Sequence, residues 1–387
     1  MNYFVRTCDQ QRMIDQLTPL IPVFQKREAL LDKRNAYPVQ NIEDLKKLQY
    51  HTLTLPAEFG GQGKGLYEYI LMQELIAKGC GATALSIGWH VGTILEFNEN
   101  RHWNEDVTKW LVEEIKNGAL INAAATERDA GSPTRGALPR TTAALSGDEW
   151  VIKGEKTYTS LAPLIDYFFV TATIDGTEEA AMFVIPAKSK GVSIRETWDS
   201  VAMRGTASHD LVLEDVVIPR EYMLRKLDTK VKPSPAGWLL HIPACYIGIA
   251  GAARDYAVSF AASYVPSSLG KPIATLPSIK HQIGEMEIKL LSARQVLFHT
   301  ALLYEEAKNK EQVKELLQSA KVMVTNAAIE IVDLALRIVG ARSMSESNPM
   351  HRYYMNVRMG LHNPPMEDMA KMNLADTAIR SLQNQEG

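Results

Sequence analysis

Near the C-terminus the chain reads R-M-G-L-H-N-P-P-M-E-D-M, residues 358–369. His362 and Glu367 stand on either side of two prolines. An imidazole titrates near neutral pH without help, and a carboxylate in a dry pocket can be raised into the same range. Either group could take a proton from a substrate. The competing assignments are structural. A histidine at a helix end can cap carbonyls or face water. Glu367 and Asp368 would begin the last helix, where acids suit the macrodipole. Upstream, A-T-E-R-D-A-G-S (125–132) puts Ala125 and Thr126 at a strand end, followed by a loop holding Gly131 and Ser132. Such a loop can bring its amides close to an anion such as a pyrophosphate. In G-E-K-T-Y-T-S (154–160), Tyr158 and Ser160 are two apart, a spacing that predicts one strand face. An aromatic plane beside a hydroxyl suits a flat ring with polar edges, such as a flavin. Ordinary hairpin packing beside a surface loop accounts for the same residues.

The elements around these residues change character along the chain. Residues 1–120 read as helices, as in GLYEYILMQELIAKG, with apolar residues at three- and four-residue steps. Residues 121–230 hold short strand-like runs broken by Gly, Pro, Asp and Ser, with a hairpin signal at S-G-D (146–148). Residues 231–387 return to helix. Ile279, Ile283, Met286, Leu290, Ala293 and Leu297 form one apolar seam; Leu317, Ala320, Val324, Ile331 and Ile338 lie on a second. Gly340 follows that second seam as a helix-terminating glycine would. The expected class is α+β: an N-terminal helical domain, a central β-barrel or sandwich, and a C-terminal four-helix bundle.

Composition narrows the function. The chain has 387 residues, with 42 Lys plus Arg against 45 Asp plus Glu and a formal charge of −3, so no basic surface for nucleic acid is expected. Three scattered cysteines give neither a disulfide framework nor a zinc site. No signal-peptide pattern or membrane-length apolar run occurs, and a cytoplasmic location is the expectation. There is no G-x-G-x-x-G after a strand, no phosphate-binding G-x-x-x-x-G-K-[ST] and no G-x-S-x-G elbow.

Four stretches in register change the weighting: LPAEFGGQG (55–63), ATERDAGS (125–132), GEKTYTS (154–160) and AMRGTASHDLVLEDVVIP (202–219). Together they resemble the acyl-CoA dehydrogenase superfamily, from about residue 10 to residue 383. The resemblance implies FAD, with FMN second, between the β-domain and the bundle. It implies a homotetramer or dimer that shares the cofactor between subunits. It places Ala125 and Thr126 at the flavin's pyrimidine edge, and Gly131 and Ser132 beside its phosphate or ribitol. Tyr158 would flank the ring, and Ser160 would approach flavin N5. Reduced flavin carries negative charge, which hydrogen-bond donors at those edges stabilise.

The departures are as informative. The family's intersubunit R-x-x-F-G reads PSSLG (266–270), and its Q-x-x-G-G-x-G reads RIVGARS (337–343), leaving Arg337 and Gly340 for that part of the site. The usual glutamate base of the C-terminal loop falls on Pro364, and its alternative on the first bundle helix falls on His241. Three functions are therefore expected in turn. The first is α,β-dehydrogenation of an acyl-CoA-type thioester, with His241, His362 or Glu367 as base and an electron-transfer partner. The second is a flavin-dependent monooxygenase using O2 and a partner reductase, with His362 and Ser160 beside the flavin and His90 a further candidate by analogy. The third is a non-catalytic flavoprotein of the same fold.

Overall fold

The computed structural model describes residues 3–33, 35–128, 138–227 and 235–383. The first helices, α1 (Cys8–Leu17), α2 (Ile21–Glu28) and α3 (Val39–Lys47), pack outside a central pair, α4 (Leu66–Gly79) and α5 (Gly81–Asn100). Helix α5 is buried along most of its length from Gly81 to Phe97, which explains why its sequence is apolar all round. Its neighbour α6 (Glu105–Lys116) is amphipathic; Asn104 caps it and Glu105 and Asp106 occupy its first turn.

Eight described strands follow in one sheet: β1 (Ile121–Ala124), β2 (Thr142–Ser146), β3 (Glu149–Thr159), β4 (Tyr167–Ile174), β5 (Ala180–Pro186), β6 (Val192–Arg195), β7 (His209–Pro219) and β8 (Met223–Leu227). The order is β6-β7-β3-β2-β4-β5-β8, with β1 parallel to β4. Ser146 pairs with Glu149 across Gly147 and Asp148, so the S-G-D signal makes the β2–β3 hairpin; Gly147 has φ +62°. Strand β3 pairs antiparallel with β7 but loses register between Lys156 and Thr159.

The remaining helices are α7 (His241–Ser263), α8 (Pro277–Glu306), α9 (Lys314–Val339), α10 (Met350–Arg358) and α11 (Glu367–Gln383). Helix α7 lies among α4, α5 and α9, and α9 also contacts α8, α10 and α11. The predicted seams face inward at Met286, Ala293 and Leu297 on α8, and at Ala320, Val324, Ile331 and Ile338 on α9. Gly340 ends α9 at φ +69°, as its position after the seam predicts. No helix among the described residues is long and apolar enough to cross a membrane.

Candidate active site

Two of the sequence motifs meet through their charges. Glu127 follows β1, and its Oε1 accepts from Lys156 Nζ at 2.6 Å and from Thr141 Oγ1 at 2.7 Å and N at 3.0 Å. Both charged side chains are buried. Burial opposes the Glu127 charge, but the Lys156 ammonium and the Thr141 donors outweigh it and hold the carboxyl below its usual range. This pair fixes the end of β1 against β3. Thr157 N donates to Thr126 O at 2.9 Å and Thr157 Oγ1 to Asp210 at 2.7 Å, so Ala125 and Thr126 stay half-buried beside the strand ends.

Simple alternation does not carry Tyr158 and Ser160 onto one regular face. Tyr158 has φ +58° within the register break and is 65% exposed, its ring edge-on to Trp198. Ser160 lies just past β3 and is buried; its carbonyl accepts from Asn122 Nδ2 at 2.8 Å. Its Oγ lies 3.0 Å from Ser208 Oγ, which lies 2.8 Å from Thr206 Oγ1. Between them, Thr159 Oγ1 is buried without a hydrogen-bond partner among the described residues. Gly131 and Ser132 lie outside the described residues.

The helices close on this group from the other side. Asn356 of α10 accepts from Met203 N at 2.6 Å and so holds the loop that carries Thr206 and Ser208. Past α10 the chain turns through Met359–Leu361, and Gly360 packs against Tyr246 of α7 and Thr325 of α9. Asn363, not His362, turns into the protein and accepts from Tyr246 Oη. His362 is exposed, and its backbone N–H donates to Met359 O at 3.0 Å. Glu367 opens α11, pairs with Lys371 at 2.6 Å and accepts from Asn326 at 3.3 Å; the Lys371 bond holds its carboxyl below the usual range. That is the helix-start arrangement. Lys321, buried on α9 one turn before Thr325, has its amine pushed down to about 8 by burial, with the Glu367 charge opposing.

His241 begins α7 and is fully buried. Trp89 is edge-on to its ring at 4.9 Å, while Tyr69 and Trp238 stack at 5.9 Å. Neither ring nitrogen has a hydrogen-bond partner among the described residues, nor do Ser86 Oγ and the two indole N–H groups. Burial pushes the imidazole down to about 3, so it is neutral. A Cβ at Gly88 would collide with His241 Nδ1; glycine lets α5 approach this ring. Gly81, two turns earlier, touches Met203, so α5 spans from the hydroxyl loop to His241, about 10 Å along its axis.

His90 has a structural task. Its Nδ1 accepts from Ile121 N at 3.0 Å, so its Nε2 donates to His51 O at 2.9 Å. Burial lowers it to about 3. Arg337 is exposed on the last turn of α9, near Gly340. Sequence reasoning missed Trp89, Trp238, Ser208, Asn356 and Lys321. Ser208 stood inside a recognised motif, and Asn356 opens the N-V-R run (356–358) from which the family's base position is counted to Pro364; Trp89, Trp238 and Lys321 carry no local signal.

Comparison with known proteins agrees with this fold. Residues 20–113, 122–216 and 240–361 match the N-terminal, middle and C-terminal domain models of acyl-CoA dehydrogenase. A putative acyl-CoA dehydrogenase of Bacillus subtilis, YdbM, is 45% identical over 98% of this chain and 100% of its own. Butyryl-CoA dehydrogenase from Megasphaera elsdenii has the same fold, with TM-score 0.85 at 22% identity, covering 98% of this chain and 100% of that one. So does KijD3, solved with FMN and a dTDP-sugar: TM-score 0.85, 22% identity, covering 97% and 95%. Three domain matches in order and end-to-end identity to YdbM establish that this chain belongs to the acyl-CoA dehydrogenase family of flavoproteins.

Proposed function

We propose that this chain is an FAD-dependent oxidoreductase that introduces an α,β double bond into an acyl-CoA-type thioester. The observation that carries the reading is the strand-end group at the junction clamped by Asn356. There the Thr159 hydroxyl is buried without a partner among the described residues, the Tyr158 ring is uncovered, and Ser160 Oγ lies 3.0 Å from Ser208 Oγ. These features fit a flavin whose edge meets Ala125, Thr126 and Ser160 and whose ring lies beside Tyr158. Gly131 and Ser132 are assigned to its phosphate or ribitol side, and Arg337 and Gly340 to the part shared with a second copy of the chain in a homo-oligomer. FMN would use the same ring contacts.

When bound, the flavin supplies an acceptor for the β-hydride. The protein must remove the α-proton and keep water out. Glu367 suits this least, because Lys371 and Asn326 already hold its carboxylate. His241 is buried and neutral, with both nitrogens unpartnered among the described residues beside two half-buried indoles, and is the first candidate to face substrate. His362 is the second. Anaerobic addition of acyl-CoAs of varied chain length should bleach the oxidised flavin. No bleaching with any of them would sink the assignment.

The proline at 364 favours a second reading, a two-component monooxygenase with His362 and Ser160 near the flavin. Consumption of O2 coupled to an oxygenated product, with reduced flavin supplied by a reductase, would decide for it.

A further inference from the structure

The three hydroxyls at the strand end have a direction. Thr206 Oγ1 lies 2.9 Å from Met203 O, and a carbonyl can only accept, so the Thr206 hydrogen is committed there. Thr206 Oγ1 is then the acceptor for Ser208, 2.8 Å away. The Ser208 hydrogen being used, Ser208 Oγ accepts from Ser160 at 3.0 Å. Each hydroxyl has one hydrogen, so the Met203 carbonyl sets the polarity of the whole relay. Ser160 is left offering lone pairs, not a proton, on its remaining side, the reverse of the donor expected at N5 from the sequence. The frame is rigid: Leu161 N donates to Thr206 O at 2.7 Å, Asn122 holds the Ser160 carbonyl, and Asn356 holds Met203 N.

We propose that Met203, Thr206 and Ser208 act as positioning residues that make Ser160 a hydrogen-bond acceptor, and so favour the reduced flavin over the oxidised one. The inference rests on the flavin assignment above. Oxidised flavin has an acceptor at N5. Two-electron reduction with a proton delivered to N5 turns that position into a donor. Ser160 in its observed polarity matches the donor. To serve the oxidised form, all three hydroxyls must reverse and Met203 O must lose the Thr206 hydroxyl. It would keep Thr206 N at 3.0 Å and the Trp198 indole at 3.3 Å, so reversal costs about one hydrogen bond, roughly 1 kcal/mol.

The test is the flavin midpoint potential of the purified holoprotein, measured spectroscopically without acyl substrate. Ser208→Ala frees the Ser160 hydrogen to turn toward N5. Thr206→Val leaves Ser208 no acceptor except Ser160, with the same result. Each should weaken the preference for reduced flavin about fivefold, lowering the potential by roughly 20 mV for two electrons. Thr206→Ser keeps the hydroxyl and should stay within about twofold of wild type. Potentials unchanged in Ser208→Ala and Thr206→Val, with flavin content retained, overturn the relay. Should Thr206→Val fail to fold, Ser208→Ala decides alone. A wild-type protein that takes up neither FAD nor FMN overturns the flavin assignment itself, whereas an unchanged potential leaves that assignment intact.

Discussion

Glu127 and Lys156, from two separate motifs, form one buried ion pair at 2.6 Å. The acid and the lysine are thus a unit of architecture at the end of β1 and not a catalytic couple. Their inequality is testable. Glu127→Gln strands a buried ammonium whose other contact is Thr171 Oγ1 at 3.2 Å, and should cost about 3–5 kcal/mol. Lys156→Met leaves Glu127 its Thr141 and Arg140 donors and should cost less. Urea denaturation of the two variants checks the order; equal costs would show that the backbone donors contribute little.

His90 bridges Ile121 N and His51 O. His90→Leu should destabilise by about 2–4 kcal/mol, because a buried N–H and C=O lose their partner. Turnover per folded molecule should hold. A tenfold fall in that normalised turnover would give His90 a part in the chemistry.

Glu28 supplies a pH dependence. Its carboxylate is buried against Gly81 N and Arg352, and burial raises it to about 7 despite the Arg352 charge. The folded form therefore holds its proton more tightly than the unfolded chain. The stabilisation is complete below the unfolded value near 4.5 and is lost as pH rises toward 7. Glu28→Gln should flatten the loss of thermal stability over that window and raise Tm at pH 8. A variant whose Tm falls in parallel with wild type across the window would refute this.

His241 offers a trade between stability and function. His241→Phe replaces two nitrogens that are unpartnered among the described residues with apolar edge in an aromatic box, so Tm should hold or rise by the equivalent of about 1 kcal/mol. Turnover should fall at least tenfold. Loss of stability with full activity would make it a core histidine and nothing more.

For His362, an alanine variant should lower turnover at least tenfold while flavin content and Tm stay near wild type. Unchanged turnover returns the residue to its helix end.

Much of this was readable beforehand because it is local. Seam periodicity on α8 and α9, the S-G-D hairpin and the terminating Gly340 each depend on a few neighbouring residues. The pairing of Glu367 with Lys371 is likewise an i,i+4 effect. Tyr158 and Ser160 diverged because a register break interrupts the strand period of two. The box around His241 draws on α4, α5 and the turn before α7, and no sequence spacing announces it. The hydroxyl relay depends on which way each hydrogen is committed, a property of three-dimensional contacts alone.

Arg352 of α10 grips Asp32 with Nε at 3.0 Å and Nη2 at 2.5 Å across 320 residues, and Asn356 one turn later holds Met203. The N-terminal helices and the loop of hydroxyls thus wait for a helix made up to 320 residues after the segments it holds. At a few to some twenty residues per second, that delay is roughly 20 s or more. Until then the relay lacks its outer clamp, so a growing chain should not hold its cofactor before α10 has been made.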